Sequence, residues 1–235
     1  MVENRVRIHR DKLDFRTNEA YKALRTNIQF CGDDIKVISL TSCTPNEGKT
    51  SVSFNMATSF VDNGKRVVLI DADLRKSVLI GRYKVGKVEN GLTHYLSGQN
   101  ELEDIIYQTD IQNMDIVFCG SYSPNPAELL SNVRFENMIN KLREKYDYVI
   151  IDTPPLGSVI DSAIVARVVD GVIIVIEANA ISYRFAQNVK EQLEKADCRI
   201  LGVVMNKVPM DKKKYYGKYY GKYYGKYYGT YGEEH

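Results

Sequence analysis

The chain has 235 residues, 44% of them hydrophobic, and a formal net charge of +2. That suits one α/β domain with a sizeable core, and it is too little charge to make the whole chain an obvious polyanion binder. The four cysteines, Cys31, Cys43, Cys119 and Cys198, are scattered with no Cys-x-x-Cys pair, which speaks against a zinc site or a disulfide framework and for reduced thiols.

Residues 1–18 are polar and basic, with Arg5, Arg7, Arg10, Lys12 and Arg16, and read as an arm. They lack the apolar stretch of a secretory signal, and no apolar run in the chain approaches the ~18 residues of a membrane span. A cytoplasmic protein is expected, with any membrane role supplied by a partner. A helix is predicted over about 19–31, capped by Thr17 or Asn18. Residues 36–42 form a short β-rich run that stops at Pro45 and Gly48, and residues 48–64 read as a helix ending at Gly64. Further strands are predicted at 65–73, 114–120, 146–155, 170–178 and 198–208, with helices at 126–145 and 182–196 between them. Continuous Val/Ile runs alternating with helices imply a mostly parallel sheet covered on both faces. Ligands on such sheets bind past the carboxyl ends of the strands.

From Lys212 the composition changes. Lys-Tyr-Tyr-Gly occurs four times in succession between 214 and 229, and nine of the 17 tyrosines fall here. Glycine at every fourth position opposes a helix, and nothing alternates as a strand requires, so residues 211–235 read as disordered. The division expected is an arm at 1–18, a domain at 19–210 and a tail at 211–235.

The residues that carry chemistry sit just past the predicted strand ends. Cys43-Thr44-Pro45-Asn46-Glu47-Gly48-Lys49-Thr50 fits a P-loop from Gly48 onward, with Cys43 where the usual first glycine stands. A loop between strand and helix turns backbone N–H groups inward onto phosphate oxygens. Lys49 is placed to reach the β- and γ-phosphates, and Thr50 to offer its hydroxyl to Mg2+. Thr44, Asn46, Glu47 and Ser51 are the neighbouring contacts expected for a nucleotide. Asp152, ending Val149-Ile150-Ile151, resembles a Walker B carboxylate, and Asp71 and Asp73 end another strand. Asn206-Lys207, ending the last strand, is a candidate to hydrogen-bond the base, with a plain turn as the alternative.

Together these residues resemble a known family. Ser42-x-x-Pro45-x-x-Gly48-Lys49-Thr50, Leu69-Ile70-Asp71-Ala72-Asp73-Leu74-Arg75 (a Walker A′ motif) and Ile151-Asp152-Thr153-Pro154-Pro155 are similar to the bacterial tyrosine kinases, a P-loop NTPase branch shared with the Min/Par-type ATPases. The tyrosine cluster points to the kinases, as does Glu19-x-x-Lys22-x-x-Arg25, which resembles their Glu-x-x-Arg-x-x-Arg oligomerisation motif with Lys22 in place of arginine. The similarity is to the stand-alone kinases of capsule and exopolysaccharide synthesis. It implies ATP and Mg2+ as cofactors. Lys49 would stabilise the transferring phosphoryl group, Asp71 would accept the tyrosine proton, and Thr50, Asp73 and Asp152 would position the metal. The phosphoacceptors would be Tyr215, Tyr216, Tyr219, Tyr220, Tyr223, Tyr224, Tyr227, Tyr228 and Tyr231. The implied partners are a separate transmembrane activator of the polysaccharide co-polymerase type that brings the kinase to the membrane, copies of the chain itself in a ring, and a protein tyrosine phosphatase. No nucleic acid is expected.

Two rival readings remain at this level. A Min/Par-type ATPase switch would use the same site with water as the nucleophile, and the Lys/Tyr/Gly tail alone could be a non-enzymatic binding segment. Residues 211–235 carry a formal +3, with six lysines against Asp211, Glu233 and Glu234. A site lined by Asp71, Asp73 and Asp152 is expected to attract them.

Overall fold

The Val/Ile runs do form strands, and they assemble into one sheet in a computed structural model that describes residues 4–209. In chain order the elements are β1 (Arg5–Val6), α1 (Phe15–Gln29), β2 (Val37–Ser42), α2 (Lys49–Val61), β3 (Val67–Asp71), α3 (Leu79–Arg82) and α4 (Leu92–Leu96). After a 3-10 turn come β4 (Ile106–Thr109), β5 (Met114–Val117), α5 (Pro126–Leu130), α6 (Val133–Lys145) and β6 (Tyr148–Asp152). The series ends with α7 (Asp161–Ala166), β7 (Gly171–Glu177), α8 (Tyr183–Lys195) and β8 (Ile200–Asn206). The tyrosine repeat, its nine candidate acceptors and the expected tail boundary lie outside the described residues.

The sheet has eight strands in the order β1-β4-β5-β3-β6-β2-β7-β8, all pairs parallel except β4 with β5. β2 and β3 are buried along their whole length, as strands covered on both faces must be. On one face Ile38, Leu40, Leu69 and Ile150 pack with Phe54, Met56 and Phe60 of α2. On the other, Val68, Ile70 and Ile151 pack with Phe135, Met138, Ile139 and Leu142 of α6. Burying one such side chain is worth about 1.5–3 kcal/mol, so the central strands are held far more firmly than the edges. α8 covers the β7 end with Val189 and Leu193.

The basic arm is not free. Arg5 and Val6 pair with β4, Ile8 is buried, its N–H bonds Asp110 Oδ1 at 2.9 Å, and His9 N–H bonds the Tyr83 carbonyl at 2.9 Å. The first helix starts at Phe15 rather than near residue 19. Asp14 accepts the N–H groups of Arg16 and Thr17, so it is the cap in place of Thr17 or Asn18. The expected boundary at 18/19 therefore falls inside α1. The helix predicted over 126–145 is two helices, because Asn132 takes the Arg134 N–H and caps a fresh start. Among the described residues no helix is long and apolar enough to cross a membrane.

Candidate functional site

β2, β3, β6 and β8 all end at the same edge of the sheet, and a cavity of about 610 Å3 opens there. That size is within the range of small-molecule sites. Its lining includes Asn46, Glu47, Gly48, Lys49, Thr50, Ser51, Asp73 and Asn206, so eight of the candidate site residues border one space.

The loop between β2 and α2 is shaped by two left-handed residues, Asn46 (φ 68°) and Gly48 (φ 88°). A Cβ at Gly48 would come within 2.1 Å of Asn206 Nδ2, so both the backbone angle and the space require glycine. Gly48 caps α2 with no side-chain hydrogen bond, which leaves the N–H groups of the first turn directed at the cavity. Thr44 and Glu47 also hold the loop in shape. The buried Glu47 carboxylate accepts the Thr44 N–H at 2.7 Å through Oε2 and the Glu177 N–H at 3.2 Å through Oε1. It braces the loop from behind, and Thr44 does not line the cavity.

The last strand completes the brace. Asn206 Nδ2 donates to the Glu47 carbonyl at 2.8 Å, and Lys207 Nζ donates to the Asn46 carbonyl at 2.7 Å while pairing with Glu177 Oε2 at 2.7 Å. Lys207 shares with Asn206 the expectation of a base contact, and both side chains are engaged here with the loop backbone. Cys43 is fully buried and burial pushes its thiol up to about 12, so it is an inert packing residue.

Behind the loop, Lys49 Nζ lies 2.8 Å from Asp152 Oδ1, and Ser53 Oγ donates to the same oxygen at 3.0 Å. Both partners of this ion pair are buried. Asp71 stands opposite Asp152 in the β3–β6 ladder and is equally buried, but its bonded partners are Ser77 Oγ on Oδ2 and the Asp73 N–H on Oδ1. Burial first, and the neighbouring Asp152 carboxylate second, push Asp71 up to about 7. A group there exchanges protons at neutral pH, as a general base does. Asp73 accepts the Lys76 N–H at 2.9 Å and faces the cavity. Arg75 pairs in two-pronged fashion with the buried Asp161, at 2.7 and 2.9 Å; nothing in the sequence joined those two positions.

The charge of the lining has the opposite sign from the expectation. Lys49, Arg75, Lys76, Arg82 and Lys207 line the cavity with only Glu47 and Asp73 as acids. Asp71 and Asp152 lie behind the surface, and Lys49 offsets Asp152. The cavity therefore fits a polyphosphate: left-handed loop, N-terminal helix turn and five cations. Among the described residues no three His, Cys, Asp or Glu side chains gather into a metal cage. The donors offered, the Thr50 hydroxyl with Asp73 and Asp152, suit Mg2+ carried by phosphate oxygens and water rather than by protein alone.

Glu19, Lys22 and Arg25 lie on α1, away from this cavity. Lys22 Nζ pairs with Glu19 at 2.7 Å, while an Arg25 NH group donates to the Ser59 carbonyl of α2 at 2.6 Å. Arg25 is thus engaged within its own chain, although its buried Nε has no partner among the described residues.

Residues 35–201 match the family described as AAA domain. The tyrosine-protein kinase CpsD of Streptococcus pneumoniae serotype 4 is 45% identical over 210 residues, covering 88% of this chain and 92% of that protein. The kinase domain of the Escherichia coli tyrosine kinase ETK superposes with a TM-score of 0.75 at 32% identity, over 82% of this chain and 77% of that one. The septum site-determining protein MinD of Pyrococcus horikoshii, complexed with Mg-ADP, follows at a TM-score of 0.63 and 26% identity, over 73% and 70%.

Proposed function

The chain belongs to the bacterial tyrosine kinases and is a protein-tyrosine kinase with a nucleotide-binding P-loop; from that premise we propose that it moves the γ-phosphoryl group of ATP onto the tyrosines of its own C-terminal cluster, on a neighbouring copy. In this reading Lys49 and the loop N–H groups hold the phosphates, with Ser51 and Asn206 at the nucleotide's flanks. Asp71 takes the proton from the tyrosine oxygen, whose pKa of about 10 otherwise keeps it protonated. Thr50, Asp73 and Asp152 hold Mg2+, which when bound offsets charge on the transferring phosphoryl group. Thr44 and Glu47 keep the loop in shape.

One observation carries the reading. Lys49, Asp73 and the buried Asp71 converge at the sheet edge from which the chain runs, through Lys207 in the cavity lining, into nine tyrosines within residues 211–235. The same reading extends to biology: control of capsule or exopolysaccharide synthesis and export, and a separate transmembrane activator that brings this cytoplasmic chain to the membrane. A ring of copies in contact through Glu19, Lys22 and Arg25, and a phosphatase that resets the tail, complete it. Arg25 would have to leave Ser59 or offer its remaining N–H groups to a neighbour.

The test mixes an active chain lacking residues 211–235 with a Lys49→Met chain that keeps them, in Mg2+ and ATP, with and without an activator's cytosolic segment. Phosphotyrosine on the Lys49→Met chain is expected. Its complete absence, while full-length wild type labels itself, would refute transfer between copies. Phosphate release with no phosphotyrosine on any chain would return the hydrolytic switch.

A further inference from the structure

Asp73 and Asp152 lie on segments that part company just where their carboxylates are needed. The β3–β6 ladder runs out at Ala72, whose N–H bonds the Asp152 carbonyl at 2.8 Å, one residue short of Asp73. From there Asp73 sits on the turn that leads to α3. Its carboxylate accepts N–H groups of that same turn, from Arg75 at 3.3 Å and Lys76 at 2.9 Å. The segment after Asp152 is laid on β2 instead. The Thr153 N–H bonds the Leu40 carbonyl at 3.1 Å, and Thr41 Oγ1 donates to the Pro154 carbonyl at 3.0 Å.

The first two residues of α7 reach both segments. Asp161 takes the Arg75 guanidinium with both oxygens, at 2.7 and 2.9 Å, and Ser162 Oγ donates to the Pro154 carbonyl. Arg75 comes two residues after Asp73, and Pro154 two residues after Asp152. One helix start therefore grips each carboxylate-bearing segment at the same remove. Asp161 and Ser162 are both buried. A guanidinium fork on a buried carboxylate fixes distance and angle together. For stability alone such a pair gains little, because apolar side chains of similar size do as well.

We propose that Asp161 is a positioning residue for phosphoryl transfer: through Arg75 it sets the turn carrying Asp73 against the segment leaving Asp152, so that the two carboxylates keep the spacing a metal needs. The inference rests on the reading that Asp73 and Asp152 hold Mg2+. That ion demands near-ideal octahedral geometry, so a small displacement of one donor costs affinity. The phosphate loop has its own supports in Glu47, Asn206 and Lys207 and should not feel the change.

The experiment uses the full chain and a fluorescent ATP analogue, titrated with Mg2+. In Asp161→Asn the Mg2+ needed for half of the metal-induced gain in nucleotide affinity should rise about tenfold, the scale of losing an outer support of a metal site. Nucleotide affinity without Mg2+ should stay at the wild-type value. In saturating Mg2+, kcat for phosphotyrosine formation should fall about 10- to 100-fold with KM for ATP unchanged. Two further variants cover the case in which Asp161→Asn does not fold. Arg75→Met with Asp161→Leu replaces the ion pair by apolar side chains and should melt near wild type, yet show the same Mg2+ defect. Arg75→Lys keeps the charge without the fork and should fall between that variant and wild type. A folded variant whose Mg2+ requirement and kcat match wild type overturns the proposal. So does one whose metal-free nucleotide affinity drops as far, because the pair would then support the whole site rather than one spacing. Asp73→Asn separates the two levels. If it leaves the Mg2+ requirement unchanged, the metal reading fails and this inference with it. If it raises the requirement while the Asp161 variants do not, the inference alone fails.

Discussion

The ends of β3 and β6 are near copies of each other in sequence, Val-Leu-Ile-Asp beside Val-Ile-Ile-Asp, and they lie side by side with Asp71 opposite Asp152. Their surroundings differ. Asp152 meets a lysine ammonium and a serine hydroxyl on one oxygen, while Asp71 meets a hydroxyl, a backbone N–H and the field of Asp152 itself. One carboxylate is tied to an ammonium, and the other is pushed up to about 7 by burial and by its neighbour's charge. Identical residues at equivalent strand positions thus acquire separate chemistry from what the next helix or turn points at them: α2 supplies Lys49 and Ser53, and the turn before α3 supplies only Ser77.

The largest effect should come from removing the cation that separates the pair. Lys49→Met is expected to lower phosphotyrosine formation by at least about 10³-fold, the scale of losing one charge-stabilising group. It also strands a buried Asp152, and breaking a buried pair costs about 3–5 kcal/mol, so the melting temperature should drop as well. Adding Asp152→Asn should restore most of the stability and none of the activity. If the double variant melts as low as the single one, the ion pair is not what holds this corner.

Asp71→Asn should cost about 10²- to 10⁴-fold in transfer, the usual weight of a general base, while nucleotide affinity stays within a few-fold of wild type. Asp152→Asn should instead blunt the Mg2+ dependence of nucleotide binding. Matching phenotypes for the two would erase the distinction drawn between β3 and β6.

A third expectation concerns pH. Folded Asp71 keeps its proton up to about 7, whereas the unfolded chain releases it near 3.8. Between those values the folded state binds more protons, so stability falls as pH rises, by up to about 1.4 kcal/mol per unit. Denaturant titrations of nucleotide-free protein at several pH values should show this decline, and Asp71→Asn should flatten it. A profile that the substitution leaves unchanged would assign the slope to another group.

The smallest effect is reserved for Ser77→Ala. Losing that hydroxyl should cost about 1 kcal/mol and move the point where the decline levels off to higher pH, since Ser77 holds Asp71 down. A shift to lower pH would contradict its part.

The central strands were legible because burial on both faces writes an unbroken Val/Ile run, and the phosphate loop because strand, Gly48-Lys49-Thr50 and helix occur in sequence. What was not legible lay at edges and in partnerships. Two residues of β1 show no pattern, and β4 is four residues of mixed polarity. Asp14 capped α1 from outside the stretch expected to matter. Glu47 borders the cavity, but nothing in the spacing shows that its carboxylate also holds loop and strand backbone. The lining's sign was misjudged because acids at strand ends are easy to count, while Arg75 and Lys76 reach the cavity from a turn and Arg82 from the short α3, whose directions no spacing reveals.

The brace formed by Asn206 and Lys207 has a consequence in time. These side chains hold carbonyls of a loop made 159 and 161 residues earlier in the chain. At about 5–20 residues per second, the ribosome delivers the two residues roughly 10–30 s after the loop they secure. A growing chain thus has its phosphate loop long before the clamp that shapes it, and the nine tyrosines of residues 211–235 are added later still. Synthesis from N- to C-terminus thereby leaves the half-made protein with an unclamped phosphate loop until β8 is in place.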